Sequence, residues 1–211
     1  QIHANLFLAS DLLPECKSVN SMLKQQIIQK LTLLTEDSSF RSEAITALSH
    51  IDINKTFSFL EENPDTTYEY DTLECLIKID GKRVFDLLSQ NIDNPNSYIS
   101  HMAIFHMPEL TVYLTQEVVD SIESQIDSPV SHISSSAIIA LGKLNQYASK
   151  EAAFQAAIKI ASSDFRIRKS ALSFIEKYRE RIDNKITQEI IVLWKSTENI
   201  EIWCDITRAA G

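Results

Sequence analysis

Residues 127–164 read DSPVSHISSSAIIALGKLNQYASKEAAFQAAIKIASSD. Apolar residues recur at helical spacing in two segments of this stretch, about 129–144 and about 150–161. A short polar link around Asn145-Gln146-Tyr147 separates them. Asp127-Ser128-Pro129 opens the stretch and Ser162-Ser163-Asp164 closes it, residues that cap a helix or cannot continue one. The stretch reads as one helical hairpin, and the rest of the chain reads as looser copies of it.

Working outward, the same punctuation returns at Asp37-Ser38-Ser39, Asn63-Pro64-Asp65, Asn94-Pro95-Asn96, Ser162-Ser163-Asp164 and Thr197-Glu198-Asn199. The intervals are roughly 26 to 35 residues, within the range of helical repeat arrays. A few residues beyond each comes a matching apolar group: Ala44-Ile45 with Leu48, Thr72-Leu73 with Leu76, Ala103-Ile104 with Met107, Ala137-Ile138 with Leu141, and Ala171-Leu172 with Ile175. Ile206 with Ala209 begins another. The small residue lets a neighbouring helix approach, and the large one fills the layer between hairpins.

A second helix is expected in every copy, over residues 53–62, 82–91, 116–126, 150–161 and 185–195. Links as short as Ile79-Asp80-Gly81 would make the two helices of a copy antiparallel neighbours. Pro108 is expected to end one first helix early and leave a longer link through Thr115. Ahead of the array, a short helix ends near Leu13, before Pro14. Met22, Leu23, Ile27, Ile28, Leu31 and Leu34 then mark another that starts at about Ser18 or Asn20.

With its best copies in DSPVSHISSSAIIALGKL and SDFRIRKSALSFIEKY, the chain resembles the HEAT-repeat family, including its shorter bacterial variants. The resemblance covers roughly residues 37–211, and the aspartate-plus-arginine ladder of eukaryotic members survives near Asp164 and Arg168. It implies an all-α, right-handed α-solenoid of about five to six antiparallel hairpins. Residues 1–36 would be N-terminal capping helices or a degenerate first repeat. Residues 37–211 would be the array, which stops at Ala209-Ala210-Gly211 inside what reads as a first helix. The expectation is therefore either a piece of a longer protein or a terminal helix that is itself the cap.

Composition narrows the function classes. Hydrophobic residues make up 44% of the 211 and charged residues 23%, which suits a folded soluble chain with material for a core. Three glycines are too few for a fold built on phosphate-binding loops. No wholly apolar run exceeds five residues, residues 190–194 being one such run, against the roughly 20 that a membrane span needs. No basic-then-apolar leader opens the sequence, although a start at Gln1 is compatible with one having been removed. Cys16, Cys75 and Cys204 are odd in number and form no CxxC pair, so free thiols and a cytoplasmic location are expected. A net charge of −9 argues against a general grip on nucleic acid.

Catalytic and metal motifs are not found: no GxSxG, HExxH or EF-hand loop occurs. His101 and His106 are five apart on a helix and so do not share a face, and His3, His50 and His132 stand alone. Ser134-Ser135-Ser136 reads as helix capping and surface. Trp194 reads as core among its aliphatic neighbours, and Trp203 as a side chain that a following repeat would cover. No catalytic residue, metal ligand or cofactor is expected.

Charge distribution says more. Residues 52–127 carry fifteen acids and four bases, whereas in residues 164–185 seven bases face four acids. In a HEAT-like array the second helices line one face, so Glu61, Glu62, Asp86, Glu117, Asp120 and Glu123 would form a carboxylate ridge. Phe59 and Phe85, and with them Phe154, would be its aromatic anchors. A basic protein would relieve the repulsion along such a ridge and be steered to it. The expected function is thus a non-catalytic protein-binding scaffold, in particular an immunity-type or antitoxin-type inhibitor, with no membrane partner. The competing readings are a HEAT-like enzyme resembling alkylpurine DNA glycosylases or phycobilin lyases, and a structural segment of a larger scaffold.

Overall fold

The computed structural model describes residues 2–13, 20–37, 39–62 and 70–178, together with positions 181, 187–188 and 191–192. These residues are helical apart from their connections, with no strand among them. The expected helix at residues 185–195, both tryptophans and the C-terminal repeat fall mostly or wholly outside the described residues. The chain divides into two compact units, Gln1–Val84 and Phe85–Gly211.

The first unit contains α1 (Ile2–Leu12), α2 (Ser21–Leu34), α3 (Arg41–Ile51), α4 (Ile53–Glu62) and the start of α5 (Tyr70–Ser89). Asn20 caps α2 by accepting from the Met22 N–H at 2.8 Å. α3 packs against α1, α2 and α4. Ile27, Ile28, Leu31, Ala47 and Leu48 form the shared core, against which Leu6, Phe7 and Ile51 also pack. Arg41 Nε donates to the Thr35 carbonyl at 2.8 Å and ties the start of α3 to the end of α2.

One device recurs within this unit. Asp52 (φ −154°, ψ 90°) is an extended residue between two helices, and Asp80 (φ −146°, ψ 72°) breaks α5 in the same way. Each carboxylate accepts from the N–H three residues on, that of Lys55 or of Arg83, at 3.2 Å. A single extended residue with a side-chain cap suffices to turn the chain from one helix into the next. The link expected at Asp80 is thus this one-residue break.

The second unit continues with α6 (Ser97–His106), a 3₁₀ segment (Met107–Tyr113), α7 (Gln116–Ser124), α8 (Ser131–Lys143), α9 (Lys150–Ile158) and α10 (Phe165–Tyr178). Pro108 lies in the first turn of the 3₁₀ segment and the link runs through Thr115, as the spacing predicts; Thr115 also caps α7. α8 packs between α6 and α10, while α7 packs on α8 and α9 on α10.

Equivalent contacts return every 34 residues. The side chains of Asn94, Ser128 and Ser162 each accept from the N–H two residues on. Ile92, Ile126 and Ile160 are buried, as are Ala103, Ala137 and Ala171, and Leu110, Leu144 and Tyr178. Thr115 and Ser149 cap α7 and α9 by accepting from the N–H three residues on. Ser100 Oγ donates to the Ile92 carbonyl at 2.5 Å, and Ser134 Oγ to the Ile126 carbonyl at 2.6 Å. At the third equivalent position Arg168 donates instead to the carbonyls of Ser162 and Ser163, each at 3.0 Å. The Asp164 carboxyl is held below the usual carboxylate range, first by a hydrogen bond with Ser131 and then by the Arg166 N–H.

One expectation is corrected here. Ser134, Ser135 and Ser136 are not surface residues but are all buried. Ser135 Oγ lies 2.8 Å from Ser170 Oγ on α10, and Ser136 Oγ lies 2.6 Å from His101 Nδ1 on α6. Buried hydroxyls are tolerated because each finds a partner.

Candidate partner-binding surface

α7 turns its carboxylates outward because its apolar positions are committed inward. Val118, Val119 and Ile122 are buried, while Gln116, Glu117, Asp120 and Ser124 are exposed. Glu117 lies in the first turn, where the helix dipole favours a negative charge. Gln116 Nε2 donates to Asp120 Oδ1 at 2.8 Å, one turn on.

Two further acids here are engaged by other side chains of the fold. Glu123 is half-buried and receives both the N–H and the hydroxyl of Ser149, each at 2.7 Å. Asp127 pairs with Lys159 Nζ at 2.7 Å. Of the predicted α7 residues, Glu117 and Asp120 therefore present charge, and Glu123 braces the start of α9.

The surrounding sequence sharpens this picture. Between Phe85 and Gly142 the chain carries no lysine or arginine and seven carboxylates: Asp86, Asp93, Glu109, Glu117, Asp120, Glu123 and Asp127. All but Glu123 are exposed. Asp93 accepts from Gln125 Nε2 at 2.5 Å, and Glu109 Oε1 lies 2.8 Å from His106 Nδ1. Asp93 and Glu109 were not among the predicted site residues. The signal that could have found them is the unbroken absence of cationic residues.

The aromatic anchors are placed differently from one another. Phe85 is 4% exposed, with its ring 6.0 Å from that of Tyr113, so it serves the interior. Phe154 is half-buried on α9 among the buried Ala152, Ala153, Ala156 and Ala157. The exposed large apolar side chains of the cation-free segment are Tyr98 and Val112, the latter in the link that Pro108 opens.

Glu61, Glu62 and Phe59 belong to α4 in the first unit. Both glutamates are exposed and Phe59 is half-buried. Arg83 Nη2 approaches Glu61 Oε1 at 3.8 Å, while its guanidinium lies 4.2 Å from the centre of the buried Phe57 ring. Arg83 Nη1 also donates to Asn54 Oδ1 at 3.0 Å. Here a cation sits beside the acidic pair, as Lys159 does beside Asp127 in the second unit.

Among the described residues, no group of three His, Cys, Asp or Glu side chains is placed to hold a metal ion, and no helix is long and apolar enough to cross a membrane. No protein-family model, curated protein or solved structure matches this chain.

Proposed function

We propose that this chain is a non-catalytic, protein-binding helical scaffold of the HEAT-like α-solenoid type, and that its acidic segment holds a basic protein. The observation that carries the reading is the cation-free run between Phe85 and Gly142, with Asp86, Glu117 and Asp120 exposed. Carboxylates along a run that has no lysine or arginine of its own repel one another, and a basic partner relieves that cost. The contacts that recur every 34 residues in the second unit support the repeat architecture. An immunity-type inhibitor of a basic toxin fits the acidity of the chain, and three cysteines without a pairing motif fit a cytoplasmic setting.

The test is affinity capture from the native host at low salt. The retained protein is then identified, and its purified form titrated at low and high salt. A single basic protein whose affinity falls with salt supports the proposal, and loss of that protein's own activity on binding identifies inhibition. Retention of nucleic acid or a pigment, or of nothing, overturns it.

A further inference from the structure

The α6–α8 pair carries a feature independent of any partner. His101 on α6 and His132 on α8 meet edge to face, with ring centroids 5.6 Å apart and planes at 86°. His101 Nδ1 is 2.6 Å from Ser136 Oγ on α8. His132 Nε2 is 3.3 Å from the Ser97 carbonyl at the start of α6. Both rings are half-buried. Two imidazoles thus join the helices reciprocally, each reaching a polar atom of the other helix.

We propose that the α6–α8 contact is an acid-sensitive latch, closed while His101 and His132 are neutral and loosened when both are protonated. Neutral imidazoles at this distance pack as ordinary aromatic rings. Once protonated they become two like charges in a partly dry interface.

The surroundings supply little to offset that repulsion. On α6, His106 adds a third titratable ring and is engaged with Glu109 of the 3₁₀ segment at 2.8 Å. On α8, Lys143 Nζ lies 5.1 Å from the centre of the Phe105 ring, itself 6.1 Å from His101. From α7 and the turn that follows it, Glu123 is held by Ser149 and Asp127 by Lys159. From α10 and the turn before it, Asp164 faces Ser131 with Arg166 beside it, and Arg168 is tied to the Ser162 and Ser163 carbonyls.

Burial, and then the charges of His132 and His106, holds the His101 imidazole below its ordinary range, with a backbone hydrogen bond to His132 partly opposing. A histidine so depressed stays neutral in the fold while the unfolded chain already takes up protons. Its contribution to stability is therefore intact above a pH of about 6.5 and is lost as the pH falls below it toward the folded-state value.

The experiment is urea unfolding of the whole chain at about pH 7.5 and about pH 5.5, on the parent, His101→Gln and His132→Gln proteins. The expected result is a parent midpoint that drops on acidification, with the drop at least halved in each variant. Equal drops in all three proteins overturn the proposal. Should a variant fail to fold, an NMR titration of the parent's imidazole Cε1–H resonances decides: His101 must titrate below about 6.5, and titration at or above that value overturns it.

Discussion

Glu123 on α7 receives two hydrogen bonds from Ser149, from its backbone N–H and from its hydroxyl, both at 2.7 Å. The same hydroxyl accepts from the Ala152 N–H at 3.0 Å, so one residue caps α9 and anchors it to α7. Removing either partner should loosen both. Glu123→Ala and Ser149→Ala are each expected to destabilise by about 1–2 kcal/mol. Because they share the same bonds, the double variant should cost measurably less than the sum. Strict additivity in urea unfolding would show that the two side chains act separately.

The α8–α10 contact makes a paired prediction. Leu141 is fully buried, so Leu141→Ala should cost about 2–5 kcal/mol. At the next residue, a Cβ added to Gly142 would meet the Phe174 Cα at 3.6 Å, an ordinary contact distance. Gly142→Ala should therefore be neutral or stabilise by up to about 1 kcal/mol through helix propensity. Thermal unfolding of the two variants tests the register, and a loss above about 1 kcal/mol for Gly142→Ala would mean that the helices lie closer than described.

Ser134 is buried and donates to the Ile126 carbonyl eight residues back. Ser134→Ala leaves that carbonyl without its hydroxyl partner and should cost about 1–3 kcal/mol. Ser100→Ala removes the equivalent bond to Ile92 and should cost a similar amount. Widely different losses would show that the two positions are not equivalent.

Charge reversal tests the binding surface. Asp86, Glu117 and Asp120 are exposed, so the triple lysine variant should fold with little change, whereas partner affinity should fall at least tenfold at low salt. Glu123 does not belong in this set, because reversing it would remove the Ser149 bonds and confuse binding with stability. Unchanged affinity in a folded triple variant would remove these residues from the interface.

Much of the helical layout was legible. The starts of α4, α7 and α9 and the end of α1 follow from apolar spacing and from Asp52, Thr115, Ser149 and Pro14, all of which act within a few residues of the place they mark. The phase of single aromatics was not legible: Phe57 and Phe59 are two apart on one helix, and the fold buries the first and half-exposes the second.

The sequence alone determined the all-helical class, the punctuation and the acidic bias, because period, capping and net charge are local or summed properties. The tertiary structure decided which polar residues the interior absorbs. It seated Ser135 against Ser170 and Ser136 against His101, brought Glu123 to Ser149, and set His132 against His101. These partners lie 26 to 35 residues apart, and only the packing register of neighbouring helices brings them together.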